Sequence, residues 1–563
     1  MKAQITPDRP QILPPPGDPF AADVAKARAL EKQGRSDEAE LIYMTVLRDS
    51  PKHLDALTNL GLIRYRQNAP TAEECFRAAL EICEAEAAKC SDDPAVAAKL
   101  LLKRGLVLSY LRRFFEALVS YDRALSLAPD DAEAHMNRGV VLLALGRFVA
   151  ALQACDRAVA LAPRRAAFHA QRATALSKLN RHLEALASLD NAIRLEPESA
   201  ILYHIRGVTL ACLTRYDEAA VQFEIAIKLD RQAAPPRQHA AHLRLLHGDF
   251  YRGWQEYEWR WRYDGAKVRS FRAPLWLGEQ PLAGKTILLH SEQGFGDTLQ
   301  FVRYAPLVAE RGANVILEVQ ADLYSLMSRM EGIALALAQP VDQTDGGRID
   351  GRSVRLASEH ELPPFDYHCP LLSLPLAFKT DLKSVPAKIP YLHADPGRVK
   401  KWRERLPLER SPLVGLVWSG SPYHFEDHNR SIGLRRLGPL FSERLNFVSL
   451  QKSVAFADER LMAELSNLRH FGREMADFDD TAAIIASLEL VIAVDTSVAH
   501  LAAAMGKPVW ILLPHSPEWR WLLHRDDSPW YPNARLFRQP QLGDWDSVIE
   551  RVQTELRLWA NRK

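Results

Sequence analysis

Cysteine is scarce in this chain, with six residues in 563: Cys75, Cys83, Cys90, Cys155, Cys212 and Cys369. So few, so widely spread, form no disulfide framework. Without CxxC pairs near histidines they offer no zinc site either. Long apolar runs are also missing. A membrane helix needs about 18 or more apolar residues in a row, and the best stretch, Leu490–Leu513, is interrupted by Asp495, His500 and Lys507. No charge sign dominates: Lys+Arg 72 against Asp+Glu 70 leaves a net +2. That balance excludes a bulk electrostatic nucleic-acid binder, although a local basic groove remains compatible with it. The opening MKAQITPDRPQILPPPGDPF holds six prolines and no apolar stretch of signal-peptide length. Residues 1–19 therefore read as an extended or disordered leader, and the chain as cytoplasmic. Tryptophan is absent from the first half; all 12 lie from Trp254 onward. Two differently built halves meet there.

What is present is typical of folded protein, with hydrophobic residues at 47% and charged residues at 25%. At roughly 150 residues per domain the length predicts three to four domains. The first half is an internal repeat. Pro129, Pro163 and Pro197 stand 34 residues apart, and the same step relates Gly105, Gly139, Ala173 and Gly207. It also relates Ala117, Ala151, Ala185 and Ala219, then Ala124, Ala158, Ala192 and Ala226, with Tyr121, Cys155, Leu189 and Phe223 between them. The pattern predicts antiparallel helix pairs. Small residues stand where backbones approach, a bulky residue fills the gap to the next pair, and proline ends the second helix. This resembles the tetratricopeptide repeat. Two weaker copies precede the clean ones, and a degenerate last copy keeps Gly253 and Tyr257 in register, so about seven repeats span residues 20–262. The Trp-rich HGDFYRGWQEYEWRWRY of that copy reads as the segment docking the array onto the second half. A stack of this kind has a concave face suited to a peptide or protein; the alternative is a spacer or dimerisation arm.

From Lys285 the hydrophobic period changes. TILLHS (Thr286–Ser291), the glycine loop QGFGD, a helix TLQFVRYAPLVAERG and NVILEV (Asn314–Val319) make a βαβ unit, and PPFDYHCPLLSLPL reads as another strand and turn. A second series of strands succeeds it at Leu413–Gly420, Asn446–Gln451, Leu468–Gly472, Leu490–Thr496, Pro508–Leu513 and Ala534–Gln539, closed by a helix SVIERVQTELRLWANR. We expect two doubly wound units, residues 263–396 and 397–563, facing each other across a cleft. Ligands in such sheets sit at the carboxyl ends of strands beside helix starts.

Three readings fit GFGD (Gly294–Asp297). As a dinucleotide fingerprint it lacks the third glycine, since Leu299 stands there; Glu318 would suit a ribose, yet Asp297 would repel a pyrophosphate. As structure, Asp297 is a helix cap. As chemistry, it is a carboxylate at the cleft able to take a proton from an acceptor hydroxyl. In VDTSVAHLAAAMGKPVW, Asp495 ends a strand and Thr496 and Ser497 open a helix suited to a diphosphate, with His500 either a ligand or a packing residue. Arg430, in the polar loop WSGSPYHFEDHNRSIGL, is a candidate phosphate fork or a solvated arginine. DWD (Asp544–Asp546) matches a metal-binding DxD, but after Gly543 it reads as a helix cap, and no metal is expected. The aromatic PEWRWLLHRDDSPWYP (Pro517–Pro532) either covers a sugar or base or packs its helix onto the last strand.

GFGDTLQFVRYAPL together with VDTSVAHLAAAMGKP resembles the heptosyltransferase-type family 9 glycosyltransferases over most of residues 280–540. The resemblance implies a GT-B pair of Rossmann-like domains, so the expected fold is an α-solenoid of tetratricopeptide repeats followed by an α/β GT-B-like pair. It implies Asp297 as the base after the glycine loop of Gly294 and Gly296. It also implies Asp495, Thr496 and His500 at the nucleotide-sugar diphosphate, and inversion at the transferred sugar without a metal or cofactor. A family lysine on the phosphates is replaced here by Arg430. The whole layout is similar to bacterial flagellin-modifying and other protein glycosyltransferases, and more remotely to the O-GlcNAc transferases. The expected activity is sugar transfer from a nucleotide sugar to an acceptor hydroxyl, on a protein captured by the repeats, for example a flagellin-like one. The alternatives are a lipid-linked or polysaccharide acceptor, and a non-catalytic scaffold with a decayed transferase half.

Overall fold

A computed structural model describes residues 18–67, 69, 71–87, 93–262, 269–339, 348–349, 352–353, 361–406, 412–422, 424, 426–443 and 445–562. Nearly all of the expected leader and Cys90 lie outside these residues. The described chain divides into two compact units: residues 18–236 with Arg262, and residues 237–261 with 269–562.

The first unit is a helical solenoid. Its helices pair as Ala21–Lys32 with Ser36–Asp49, Leu54–Arg66 with Ala72–Ala87, Pro94–Tyr110 with Phe114–Leu127, Ala132–Ala144 with Phe148–Leu161, Ala166–Lys178 with His182–Leu195, and Ala200–Cys212 with Tyr216–Leu229. The small-residue series does what its spacing predicted. A Cβ on Gly105 would lie 2.6 Å from the Tyr121 ring, one on Gly139 2.9 Å from Cys155 Sγ, and one on Gly207 2.5 Å from the Phe223 ring. The alanines at both 34-residue series are completely buried or nearly so. A second periodic feature joins the helices of each of the third to sixth pairs. The turn residues Arg112, Gly146, Asn180 and Thr214 all have φ between 59° and 72°, the left-handed region that closes a helix by a Schellman-type turn. Only Gly146 adopts it without steric cost. In the third, fourth and fifth pairs proline stands two residues after the second helix, where it cannot extend the ladder.

A seventh pair, Ala234–Leu246 with Phe250–Tyr257, belongs mostly to the second unit. Its aromatic face is why. Trp254 is 2% exposed, donates from Nε1 to the Thr380 carbonyl at 3.0 Å, and meets Phe301, Trp519 and Trp530 edge to face.

Twelve strands are described in this unit: β1 Thr286–His290, β2 Asn314–Val319, β3 Leu335–Ala338, β4 Arg348–Ile349, β5 Arg352–Ser353, β6 Tyr367–Pro370, β7 Leu413–Val417, β8 Asn446–Ser449, β9 Leu468–His470, β10 Leu490–Val494, β11 Val509–Leu513 and β12 Ala534–Arg538. Apart from the small β4–β5 hairpin they form two parallel sheets, ordered β3-β2-β1-β6 and β12-β11-β10-β7-β8-β9. β7 and β10 are apolar and buried at every position, as strands covered on both faces must be. In the second sheet the order reverses between β7 and β10, and in the first between β1 and β6. Each reversal opens a crevice at the carboxyl ends, and those crevices set the site.

Two local expectations change. The helix after the glycine loop starts earlier, at Phe295, and breaks into Phe295–Phe301, a 3-10 turn Val302–Tyr304 and Ala305–Ala309. Pro306 lacks the N–H that would continue the ladder, so the chain restarts there. β3 was not anticipated, because LALA offers neither alternation nor β-branched residues.

Candidate functional site

β1 delivers the chain into the glycine loop, whose course is held from below. The Ser291 N–H donates to the Glu318 carbonyl at 2.9 Å, and Gln320 Nε2 to the Gln293 carbonyl at 2.8 Å. Gly294 then caps the helix Phe295–Phe301, and its N–H donates to Asp297 Oδ2 at 2.9 Å. Asp297 therefore does cap its own helix. It also does more, since Arg520 donates from Nη2 to Asp297 Oδ1. Gly296 is required by a close approach: a Cβ there would lie 3.1 Å from His500 Cδ2 and 3.7 Å from Ser497 Cα. The starts of two helices, one from each sheet, thus abut at a residue with no side chain.

On the opposite side β10 ends at Val494, Asp495 comes next, and Thr496 caps the helix Ser497–Ala504. The Thr496 hydroxyl turns back to the Val494 carbonyl at 3.2 Å, so the N-cap side chain makes no hydrogen bond to the helix's first-turn N–H groups. This leaves the partial positive charge of the helix start for a ligand. Arg430 spans the β7–β10 crevice, donating from Nη1 to the Asp495 carbonyl at 3.1 Å and from Nε to Asp427 Oδ1 at 3.1 Å. It lies across Gly420, where any side chain would strike the guanidinium. Burial pushes the Asp495 carboxyl upward, against the pull of Arg430 and Arg520.

His500 sits one turn inside, 5% exposed, stacked on Trp521 at 5.3 Å and sharing a 2.9 Å hydrogen bond between Nδ1 and the Tyr531 hydroxyl. Burial, with Arg520 and Arg303 nearby, holds its pKa well below the usual histidine range. The ring lies 3.8 Å from Asp495 Oδ1, and its burial favours the neutral form there.

Sequence reasoning missed the residue that ties these parts together. Arg520 is 8% exposed and gives each guanidinium nitrogen a different acceptor: Nε to Gln300 Oε1 at 2.6 Å, Nη2 to Asp297 and Nη1 to Glu518. Its plane lies 4.3 Å from the Trp519 ring centroid. Burial, followed by Asp495 and Asp297, pushes the Glu518 carboxyl up to about 7, opposed by Arg520. With 34% of that side chain open, water screens part of the effect. A signal was present: Arg520 lies inside the aromatic segment PEWRW, where the rings draw attention away from the charge between them.

Comparison with known proteins agrees with this division of the chain. Residues 24–88, 102–166 and 171–236 match the tetratricopeptide repeat, and residues 474–544 match glycosyltransferase family 9 (heptosyltransferase). The first half is a tetratricopeptide-repeat array, and within the second, residues 474–544 resemble glycosyltransferase family 9. Protein FlbA of Caulobacter vibrioides is 30% identical over 333 residues, 57% of this chain and 54% of FlbA. The chain thus spans about half the length of that curated relative. Among solved structures, a thermophilic repeat protein of Thermus thermophilus is 27% identical, covering 30% of this chain and 93% of its own, with a TM-score of 0.28. A tetratricopeptide repeat protein of Parabacteroides merdae is 18% identical, covering 42% and 91%, with a TM-score of 0.32.

The family 9 match contains Asp495, Thr496, Ser497, His500 and Arg520, but neither the glycine loop nor Arg430. Tertiary contacts alone bring those in. Two weighed candidates, Glu318 and the DWD motif, fall away from the site. Glu318 is 1% exposed and paired with Arg269, so it is not free to hold a ribose. In DWD, Asp544 caps the last helix, Trp545–Ala560, through the Ser547 N–H at 3.1 Å, and the Asp546 side chain is 80% exposed. Among the described residues no group of three or more His, Cys, Asp or Glu side chains is placed to hold a metal ion, and no helix is long and apolar enough to cross a membrane.

Proposed function

We propose that the family 9 half is an inverting, metal-independent GT-B glycosyltransferase. It moves a sugar from a nucleotide sugar to an acceptor hydroxyl, and the repeat array presents a protein acceptor, in the cytoplasm. The observation that carries the reading is the meeting of the two helix starts at Gly296. It puts a carboxylate, Asp297, beside an uncapped helix N-terminus flanked by Arg430. Base and leaving-group stabiliser are what a single displacement requires. The acceptor oxygen forms its bond to the anomeric carbon while its proton passes to Asp297. The bond from that carbon to the donor phosphate breaks, and its electron pair leaves on the diphosphate, toward Arg430 and the N–H groups after Thr496. The nucleotide sugar is a substrate here, and no cofactor enters the step.

A thermal-shift screen of nucleotide sugars on the full chain tests this reading. We expect one nucleotide class to raise the melting temperature, in proportion to RT ln(1 + [L]/Kd). No shift with any nucleotide would replace the enzyme by a repeat scaffold with a decayed transferase half.

The acceptor is tested separately. Repeat arrays are stabilised by nearest neighbours, so removing residues 20–197 should leave the second unit folded. We expect the shortened protein to bind nucleotide as before and to lose modification of its protein acceptor. Unchanged modification would favour a lipid-linked or polysaccharide acceptor.

A further inference from the structure

The contacts of Arg520 pose a chemical problem for Asp297. Both carboxylate oxygens are engaged: Oδ2 by the Gly294 N–H and Oδ1 by the Arg520 guanidinium. An oxygen already accepting a charged hydrogen bond has less to offer an incoming hydroxyl. Arg520 is also tethered on the other side, by Glu518 and Gln300, so it has a resting place that does not depend on Asp297. Its stack on Trp519 and its 8% exposure keep the fork dry and close to both helix starts.

We propose that Arg520 is a second catalytic group, which exchanges its contact with Asp297 for the donor diphosphate and thereby frees the base only when donor is bound. The proposal rests on the transferase reading above. One guanidinium lies between two carboxylates, Glu518 and Asp297, and a donor diphosphate would compete with Asp297 for the Nη2 face. Once Arg520 turns to the phosphate, Oδ1 is open to the acceptor hydroxyl. As the bond from sugar to phosphate breaks, the electron pair arriving on the phosphate oxygen is met by the same guanidinium, and the hydroxyl proton goes to Asp297. An enzyme built this way does not activate a nucleophile, water included, in the absence of donor.

The test is affinity, measured by calorimetry on the full chain. The probe is whichever of UDP, GDP, ADP, CDP and dTDP shifts the wild-type melting temperature most. Arg520→Gln should weaken it about 10- to 100-fold, the loss of a charge-assisted hydrogen bond. Asp297→Asn should tighten it about three- to tenfold by removing the competing carboxylate, and this gain should vanish in the Arg520→Gln/Asp297→Asn double variant. Arg520→Lys, which keeps the charge but not the fork, should recover part of the affinity and gives a second variant should glutamine disturb folding. Equal affinity in wild type and Asp297→Asn, or a gain that persists in the double variant, would show Arg520 to be a structural tie and overturn the proposal. If no nucleoside diphosphate binds wild type, the donor site itself fails, and the exchange fails with it.

Discussion

Asp297→Asn is expected to lower turnover by about 10²- to 10⁴-fold, the usual loss when a general base is removed. The amide has the shape of the carboxylate, and its oxygen can still accept the Gly294 N–H, so the start of the Phe295–Phe301 helix should survive. What it cannot do is take a proton. Nor can it neutralise Arg520, which would then be held by Glu518 and Gln300 alone. Nucleotide affinity should therefore rise modestly while turnover falls, separating chemistry from binding. Single-turnover transfer together with nucleotide titration measures both quantities. Near-normal turnover would reduce Asp297 to a helix cap and sink the displacement mechanism.

The second large effect is on stability. Arg260→Met should destabilise the second unit by about 3–5 kcal/mol, the range for stranding one member of a buried ion pair. Arg260 is 5% exposed and donates to Glu292 at 2.9 and 3.1 Å, to Glu258 at 2.6 Å and to Ser373 Oγ at 2.7 Å. Glu292 in turn accepts the Leu372 N–H and lies in the loop two residues before Gly294. Burial already pushes the Glu292 carboxyl above its ordinary value, and Arg260 is the main force opposing that shift. Methionine removes the opposition, so the folded-state pKa rises further.

The loss should depend on pH. An acid whose folded pKa exceeds its unfolded pKa binds more protons when folded, so stability falls as pH rises from the unfolded value through the folded one. The deficit of Arg260→Met should accordingly be smaller near pH 5 than near pH 8, as urea unfolding at the two values would measure. A loss independent of pH would point to packing alone. Because Arg260 belongs to the segment after the seventh helix pair, this pair is part of the core of the second unit, beyond the tether its tryptophans first implied.

How much of this was legible beforehand depended on range. The helix pairs could be read because each depends on contacts within one 34-residue repeat. The Gly105–Tyr121 approach spans 16 residues and recurs, so composition at fixed spacing reports it directly. The central strands β7, β10 and β11 could be read because burial on both faces demands continuous apolar runs. Where local signals were mixed, reading failed: β3 has no β-branched residue, and the helix after Gly294 hides the 3-10 turn that precedes Pro306.

The site divides in the same way. That a glycine loop follows β1 and an Asp-Thr-Ser helix start follows β10 is written in the order of residues, because strand, turn and helix start are local states of the chain. That Gly296 meets His500, that Arg430 reaches the Asp495 carbonyl, and that Arg520 holds Asp297 across 223 residues of sequence is not. No periodicity encodes those pairings. They exist because two parallel sheets place their carboxyl ends against one another and an arginine buried there must find acceptors wherever the packing supplies them.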